Sequence, residues 1–422
     1  VALLALVFLG LPVAFAMALV GFAGMATIVG YDAAATHVAL IVTETVMNYT
    51  FSVAALFILM ANLVSRARLS EELYAAAYAF VGHWRGGLAM ATILACGGFS
   101  AVSGSSIATA ATMAPIAMPQ MRARGYADSL AAGSIAAGGT LGILIPPSIA
   151  LVIYGNLTET DIGKLFVAGI LPGILGIALY IVAIAAVTAI RPDDGPRGER
   201  VAWRQRLVVL RGVWGILTLF ALVMGGIYLG VFTPTEAAGI GAAGALLFAV
   251  VRRALTVASL IEVLQETAQT TAALLIMIVG AVLLSTFMNL AGLPDAMAAF
   301  VGGLDIAPIG VMFVIVVFYV VLGCVFDAFA MILLTVPILA PLVVSLGYDL
   351  IWFGIIVVVV AEIALITPPI GINVFVLKAI LQDITDTTIF VGVVPFVLVD
   401  IIRVVLLLLT PGFVLYLPSF MD

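Results

Sequence analysis

The sequence predicts an all-α polytopic membrane protein built as two inverted structural repeats. Each repeat carries a re-entrant helical hairpin and a transmembrane helix broken at a Pro-Pro pair. Three observations lead there. Of 422 residues, 65% are hydrophobic and 9% are charged, against roughly 25% charged in soluble proteins. A soluble domain so poor in charge would expose large apolar patches and aggregate. The second observation is an internal register. The Pro-Pro pair of Gly142-Ile143-Leu144-Ile145-Pro146-Pro147-Ser148 is matched by that of Leu365-Ile366-Thr367-Pro368-Pro369-Ile370-Gly371 at an offset of 368 − 146 = 222. At the same offset Pro115 and Pro119 fall on Pro337 and Pro341, and Gly125-Tyr126 falls on Gly347-Tyr348. The third is the placement of Lys and Arg, which gives the two halves opposite orientations.

A spanning helix needs about 20 apolar residues. The apolar runs that meet this need cover about 3–28, 48–65, 126–156, 165–190, 212–231, 234–251, 268–291, 350–377 and 388–412. The run from Val1 is read as a true span, because no small-residue cleavage site leading into a polar chain follows it. Two stretches, about 87–121 and 309–345, suit neither one helix nor two full ones. Ser103-Gly104-Ser105-Ser106 interrupts the first, and Gly323 and Asp327 interrupt the second. Each reads as a hairpin that enters the membrane, turns and leaves on the same side.

Positive residues mark the cytoplasmic ends of spans. Arg66, Arg68, Arg85, Arg122 and Arg124 flank the first hairpin, which therefore enters from the cytoplasm. Asp295, Asp305 and Asp349 flank the second without a nearby base, so it enters from outside. Residues 1–190 form the first repeat, the Arg-rich stretch 191–211 a cytoplasmic linker, and 212–422 the second repeat. The stretches 36–46 and 254–265 read as arms lying along the membrane interface. Trp84, Trp203, Trp214 and Trp352 fall near span ends, where aromatic belts form. Cys96 and Cys324 read as inert buried thiols. The net charge of −6 is spread thinly, which argues against nucleic acid as a partner.

A proline inside a helix frees a carbonyl one turn back. Within hydrocarbon such backbone survives only where protein or a water-filled cavity surrounds it. Paired broken helices in two halves are therefore the sequence pointer to a transporter's binding site. The first half offers Ser103, Ser105 and Ser106 at the tip, then Gly139, Thr140 and the carbonyls before Pro146 and Pro147. The second offers Gly323 and Asp327, then Thr367 before Pro368 and Pro369, with Asn373 beyond. Oxygen donors of these kinds suit an alkali cation rather than a transition metal. Helix N-termini, the Ser103, Ser105, Ser106 and Thr367 hydroxyls and the Asn373 amide could hold an anion. Asp327 and Glu362 are intramembrane acids, and such groups are functional candidates by default. Asp400 and Arg403 stand three apart on one helix and read as an internal ion pair.

At these motifs the chain resembles the large membrane subunit of tripartite ATP-independent periplasmic (TRAP) transporters. The resembling runs include Leu9-Gly10-Leu11-Pro12-Val13-Ala14-Phe15-Ala16 and Ser103-Gly104-Ser105-Ser106-Ile107-Ala108-Thr109. They continue with Gly139 to Ser148, Phe166 to Gly173, and Thr367-Pro368-Pro369-Ile370-Gly371-Ile372-Asn373. The resemblance implies a sodium-coupled importer of organic acids working by an elevator movement in the bacterial inner membrane. It also implies a small membrane subunit and a periplasmic substrate-binding protein as partners. Sodium-site roles would fall on Ser103, Ser105 and Gly139 in the first half, and on Gly323, Asp327 and Thr367 in the second. Val360 is a departure, since family members often carry Asn there. The resemblance implies no bound nucleotide, and no Gly-rich Lys-Ser/Thr phosphate loop is present. The rival readings are a stand-alone sodium-coupled anion symporter, a sodium/proton antiporter and, behind these, a passive channel. No His/Asp/Ser constellation supports an enzyme.

Overall fold

The computed structural model describes residues 2–67, 69–303, 306–369 and 371–421. Among them every regular element is helical. Arg68 and Asp305, read above as flanking charges, and Ile370 of the second Pro-Pro motif lie outside the described residues.

The expected first span is two helices, α1 (Ala2–Phe8) and α2 (Val13–Val29). Gly10 adopts φ 90° between them and Pro12 has no N–H to continue a helix, so the chain turns there. α3 (Tyr31–Met47) contains the arm expected at 36–46 and starts just after Gly30, also at φ 90°. A 3-10 turn leads into α4 (Ser52–Arg66), and α5 (Leu69–Val81) is a helix that the apolar runs did not indicate. The first hairpin is α6 (Gly87–Ser103) and α7 (Ser106–Arg122). α8 (Asp128–Thr140) ends in a 3-10 turn at Leu141–Ile143, and α9 (Ile149–Leu157) resumes beyond the prolines. α10 (Ile162–Ile190) closes this half.

The linker is not wholly a loop: α11 (Trp203–Leu210) occupies its last part and meets α12 (Trp214–Tyr228) at 52°. α13 (Pro234–Val251) starts at a capping box between Thr233 and Glu236. The arm expected at 254–265 is no separate element, because α14 (Val257–Leu290) runs through it unbroken for 34 residues. No Gly or Pro occurs between 254 and 279, so polarity changes along α14 without a backbone break. α15 (Leu293–Gly302), also unforeseen, precedes the second hairpin, α16 (Pro308–Leu322) and α17 (Ala328–Ser345). α18 (Leu350–Ala364) and α19 (Ile372–Ile380) flank the second break, followed by α20 (Asp386–Leu409) and α21 (Pro411–Leu415). Six helical stretches among the described residues are long and apolar enough to cross a membrane, and the bent α11–α12 pair would be a seventh. The protein is a multi-pass membrane protein.

Helices α2, α4, α12, α13 and α14 pack on one another along one side. The hairpins and broken helices pack with α10 and α20 on the other. Two crossings inside this second group place the breaks. α19 from the second half lies against α7 and α8, and α9 from the first lies against α17 and α18. α8 and α20 approach so closely that a Cβ at Gly133 would land on the Gly392 carbonyl. Small residues permit this kind of backbone contact between membrane helices.

Three of the tryptophans are exposed as a belt residue would be, but Trp352 is fully buried. Its indole N–H donates to the Leu407 carbonyl at 2.9 Å and its ring stacks on Tyr348. A large ring that finds a partner for its one polar group can fill an interior, so nearness to a span end did not decide its place. Cys96 is buried as expected, whereas Cys324 is only half-buried; both are free thiols.

The α8–α20 contact yields a direct stability test. Gly392→Val should force the two helices apart and lower stability by about 1–3 kcal/mol, as overpacking does. Gly225→Ala, at a position with nothing within 4 Å of the added methyl, should leave melting of the detergent-solubilised protein unchanged. Equal melting of both variants would contradict the packing described.

Candidate functional site

The first hairpin turns because Gly104 takes the left-handed conformation, φ 61°, after the last residue of α6. Ser105 follows in extended backbone and caps α7, its Oγ accepting the Ala108 N–H at 3.3 Å. The Ser103 and Thr109 hydroxyls meet at 2.8 Å, and Thr109 donates to the Ser105 carbonyl at 2.8 Å. This tip is pressed onto the first break. A Cβ at Gly142 would fall on the Ser105 carbonyl, and one at Gly104 would lie 2.7 Å from the Pro147 carbonyl oxygen.

The break itself is largely self-satisfied. The N–H groups of Leu144 and Ile145 both turn back to the Leu141 carbonyl, at 3.2 and 3.0 Å. The Pro146-Pro147 peptide is cis. Ser148 donates its hydroxyl to the Ile143 carbonyl and accepts the Leu151 N–H, which caps α9. Thr140, expected at a cation site, has its hydroxyl donating to Ala137 at 2.8 Å and lying 3.1 Å from the Tyr180 hydroxyl.

The second tip repeats this logic with a carboxylate. Asp327 caps α17 as Ser105 caps α7, its Oδ1 accepting the Phe329 and Ala330 N–H groups at 2.9 and 3.0 Å. Gly323 abuts the end of α18, where an added Cβ would collide with that of Ala364. The Cys324 thiol lies 3.6 Å from the Pro368 carbonyl oxygen, and Thr367 donates to Ile363 at 2.6 Å. Pro368-Pro369 is also cis, but both prolines are exposed whereas Pro146 and Pro147 are buried.

Asn373 joins the two halves. Its amide nitrogen donates to the Ser106 hydroxyl at 2.7 Å and to the Ala136 carbonyl of α8 at 3.1 Å. Ser106 in turn donates to Asn373 Oδ1 at 3.0 Å, and the Asn373 backbone N–H donates to the Leu365 carbonyl before the break. Gly139 stands beside it, where an added Cβ would clash with that of Ala110 at 2.8 Å and lie 3.2 Å from the Asn373 nitrogen. Ser103, Ser105, Ser106, Gly139 and Asn373 thus form one cluster. Gly323 and Thr367 lie at the second break, with Asp327 opening α17 just beyond that tip. The donors offered are hydroxyl, carbonyl and carboxylate oxygens, a set that fits a hard monovalent cation.

Sequence reasoning left Thr109, Tyr180 and the Ala136 carbonyl unassigned. Thr109 could have been found from its place one turn past the tip. Nothing in the apolar run around Tyr180 announces its role. On the Arg-rich side, Arg122 ties the end of α7 to Asp128 at 2.8 Å and to Asp383 at 2.6 Å. The Arg122 guanidinium holds the exposed Asp383 carboxyl below its ordinary range. This tie is therefore present above the usual carboxylate pKa and lost only as pH falls past the lowered one. Lys378 is spent on the Gln382 and Ile384 carbonyls after α19, at 3.2 and 2.5 Å.

A family model described as "Tripartite ATP-independent periplasmic transporter, DctM component" matches residues 1–413. The chain is 37% identical over 380 residues to a C4-dicarboxylate TRAP transporter large permease protein of Pseudomonas aeruginosa, covering 90% of this chain and 88% of that one. It is 32% identical over 418 residues to a sialic acid TRAP transporter large permease protein of Vibrio cholerae, covering 99% and 96%. Among solved structures, the Alcanivorax borkumensis YdaH transporter superposes with a TM-score of 0.65 at 16% identity, over 91% of this chain and 89% of that one. That last likeness concerns the fold alone.

Because Asn373 binds two elements of the first half, Asn373→Ala removes several hydrogen bonds together. It should lower stability by about 1–3 kcal/mol, the cost of leaving buried partners unsatisfied. Thermal melting of the purified variant measures this, and an unchanged melting temperature would refute the bridging role.

Proposed function

This chain belongs to the DctM component family of tripartite ATP-independent periplasmic transporters, and on that premise we propose that it is the large permease subunit of a sodium-coupled organic-acid importer in the bacterial inner membrane. The observation that carries the reading is the Asn373 bridge. It brings the first hairpin tip, the first broken helix and the second break to one place. The printed names of relatives support an organic-acid cargo, since they include C4-dicarboxylate, sialic acid and 2,3-diketo-L-gulonate transporters.

Inverted repeats are supported by helix starts that keep one offset. α7 and α17 begin at 106 and 328, and α8 and α18 at 128 and 350. The cation sites are assigned to Ser103, Ser105, Gly139 and Thr140 in the first half, and to Gly323, Asp327 and Thr367 in the second. Bound sodium supplies the positive charge that a carboxylate substrate requires, since no Lys or Arg lies in either break. The chain's own part is to orient that substrate with the Ser103, Ser105, Ser106 and Thr367 hydroxyls and the Asn373 amide. A helix N-terminus adds up to ~2 kcal/mol, too little to hold a desolvated carboxylate by itself. The hairpins and broken helices move as one body against α2, α4, α12, α13 and α14, in an elevator motion. A small membrane subunit and a periplasmic binding protein complete the machine, the latter choosing the substrate.

Uptake into proteoliposomes tests the coupling. Asp327→Ala and Ser105→Ala should each weaken the sodium dependence, and substrate affinity should collapse in choline buffer of matched ionic strength. Unchanged sodium titrations in both well-expressed variants, or equal carboxylate affinity in the two buffers, would refute it.

A further inference from the structure

A line of polar side chains crosses the interior between the two breaks and, beyond Thr140, has no part in the sites assigned above. It runs from Thr140 to Tyr180 on α10, to Asp400 and Arg403 on α20, and ends at Glu362 on α18. Tyr180 donates its hydroxyl to Asp400 Oδ2 at 2.5 Å. The Arg403 guanidinium lies 3.1 Å from Asp400 Oδ1 and also grips Glu362 Oε2. Gly176 of α10 makes room for it, since a Cβ there would strike Arg403 Nη1. The ion pair expected between Asp400 and Arg403 is therefore present, but it is one side of a triad.

The charges of this triad do not balance. Glu362 and Arg403 are 0% exposed and Asp400 1%, so two carboxyls share one guanidinium where water does not reach. Among the described residues the charged groups acting on Glu362 are Arg403 and Asp400. The tyrosines on packed neighbours are engaged elsewhere, Tyr319 of α16 with Thr335 and Tyr154 of α9 with the Leu350 carbonyl. A buried charge without its own counter-charge neutralises by taking or losing a proton rather than persisting. The hydrogen bonds treat the two acids alike. Tyr180 donates to Asp400 Oδ2 and Arg403 to Glu362 Oε2, while Asp400 Oδ1 and Glu362 Oε1 each have no hydrogen-bond partner.

We propose that Glu362 and Asp400 together hold one proton, so that the cluster is a proton-loaded site between the two helix breaks. The one carboxylate charge that remains is the partner of Arg403. An uncharged hydroxyl left unpaired is far less costly than an unpaired share of buried charge. The site lies close to both breaks. Leu365 donates its N–H to the Glu362 carbonyl, and Thr140 stands at the end of α8. The inference depends on burial and charge balance alone and is independent of sodium coupling.

Infrared spectroscopy of the full chain in lipid at neutral pH tests it through the C=O stretch of a protonated carboxylic acid. Wild type should show this band, Asp327→Asn should keep it, and Glu362→Gln should lose it while melting like wild type. Asp400→Asn should lose it too, because Glu362 is then the sole counter-charge of Arg403 and stays ionised. A wild type without the band, a band that survives in Glu362→Gln, or one that persists in Asp400→Asn overturns the proposal. A Glu362→Gln chain that fails to fold also overturns it, because an amide beside one carboxylate keeps the net charge of the singly protonated pair.

Discussion

Backbone that leaves a helix inside hydrocarbon must find every hydrogen-bond partner within the protein, at several kcal/mol for each group left unpaired. Two Pro-Pro pairs impose that demand twice in this chain, and the rest of the fold answers it. At the first break the partners are local: Leu141 takes two N–H groups and Ser148 serves the Ile143 carbonyl and the start of α9. At the second they come partly from beyond the break, where Asn373 returns its N–H to Leu365. The crossed packing of α9 on α17 and of α19 on α7 sets each half against the other, burying Pro146 and Pro147 while Pro368 and Pro369 stay exposed.

The same constraint explains why small and hydroxylated residues gather at the tips. A tip can press against a break only if its backbone comes within contact distance, which Gly104, Gly142 and Gly323 allow. Ser105 beside Gly104 also satisfies the start of α7. Ser105 and Asp327 hold equivalent capping positions, one neutral and one acidic. The two cation sites proposed here would accordingly differ in charge despite their common geometry.

Deeper in the molecule, Arg403 reaches across helices to Glu362, and Tyr180 donates to Asp400 with its hydroxyl 3.1 Å from that of Thr140. Buried ionic groups of this kind are weak evidence for stability, because desolvation offsets much of their attraction. Their placement between the two broken stretches of backbone points instead to fixing how α8, α10, α18 and α20 fit together. Close glycine contact between α8 and α20 serves the same end.

Sequence alone determined the membrane class, both hairpins, both breaks and the candidate oxygens at 103–106, 323–327 and 367–373. These are local properties: apolar length, prolines that cannot continue a helix, and small polar residues where a chain must turn. It did not reveal α5 and α15, short helices outside the apolar runs, or the continuity of α14 through a polar stretch. Nor could it show that Pro146-Pro147 is buried while Pro368-Pro369 is exposed, although the two motifs look alike. Burial depends on which remote helix lies over a segment, and no local pattern encodes that. For the same reason only the tertiary structure placed Asn373 against Ser106 and Arg403 against Glu362. Those partners are 267 and 41 residues apart, and it is helix packing, not spacing along the chain, that brings them together.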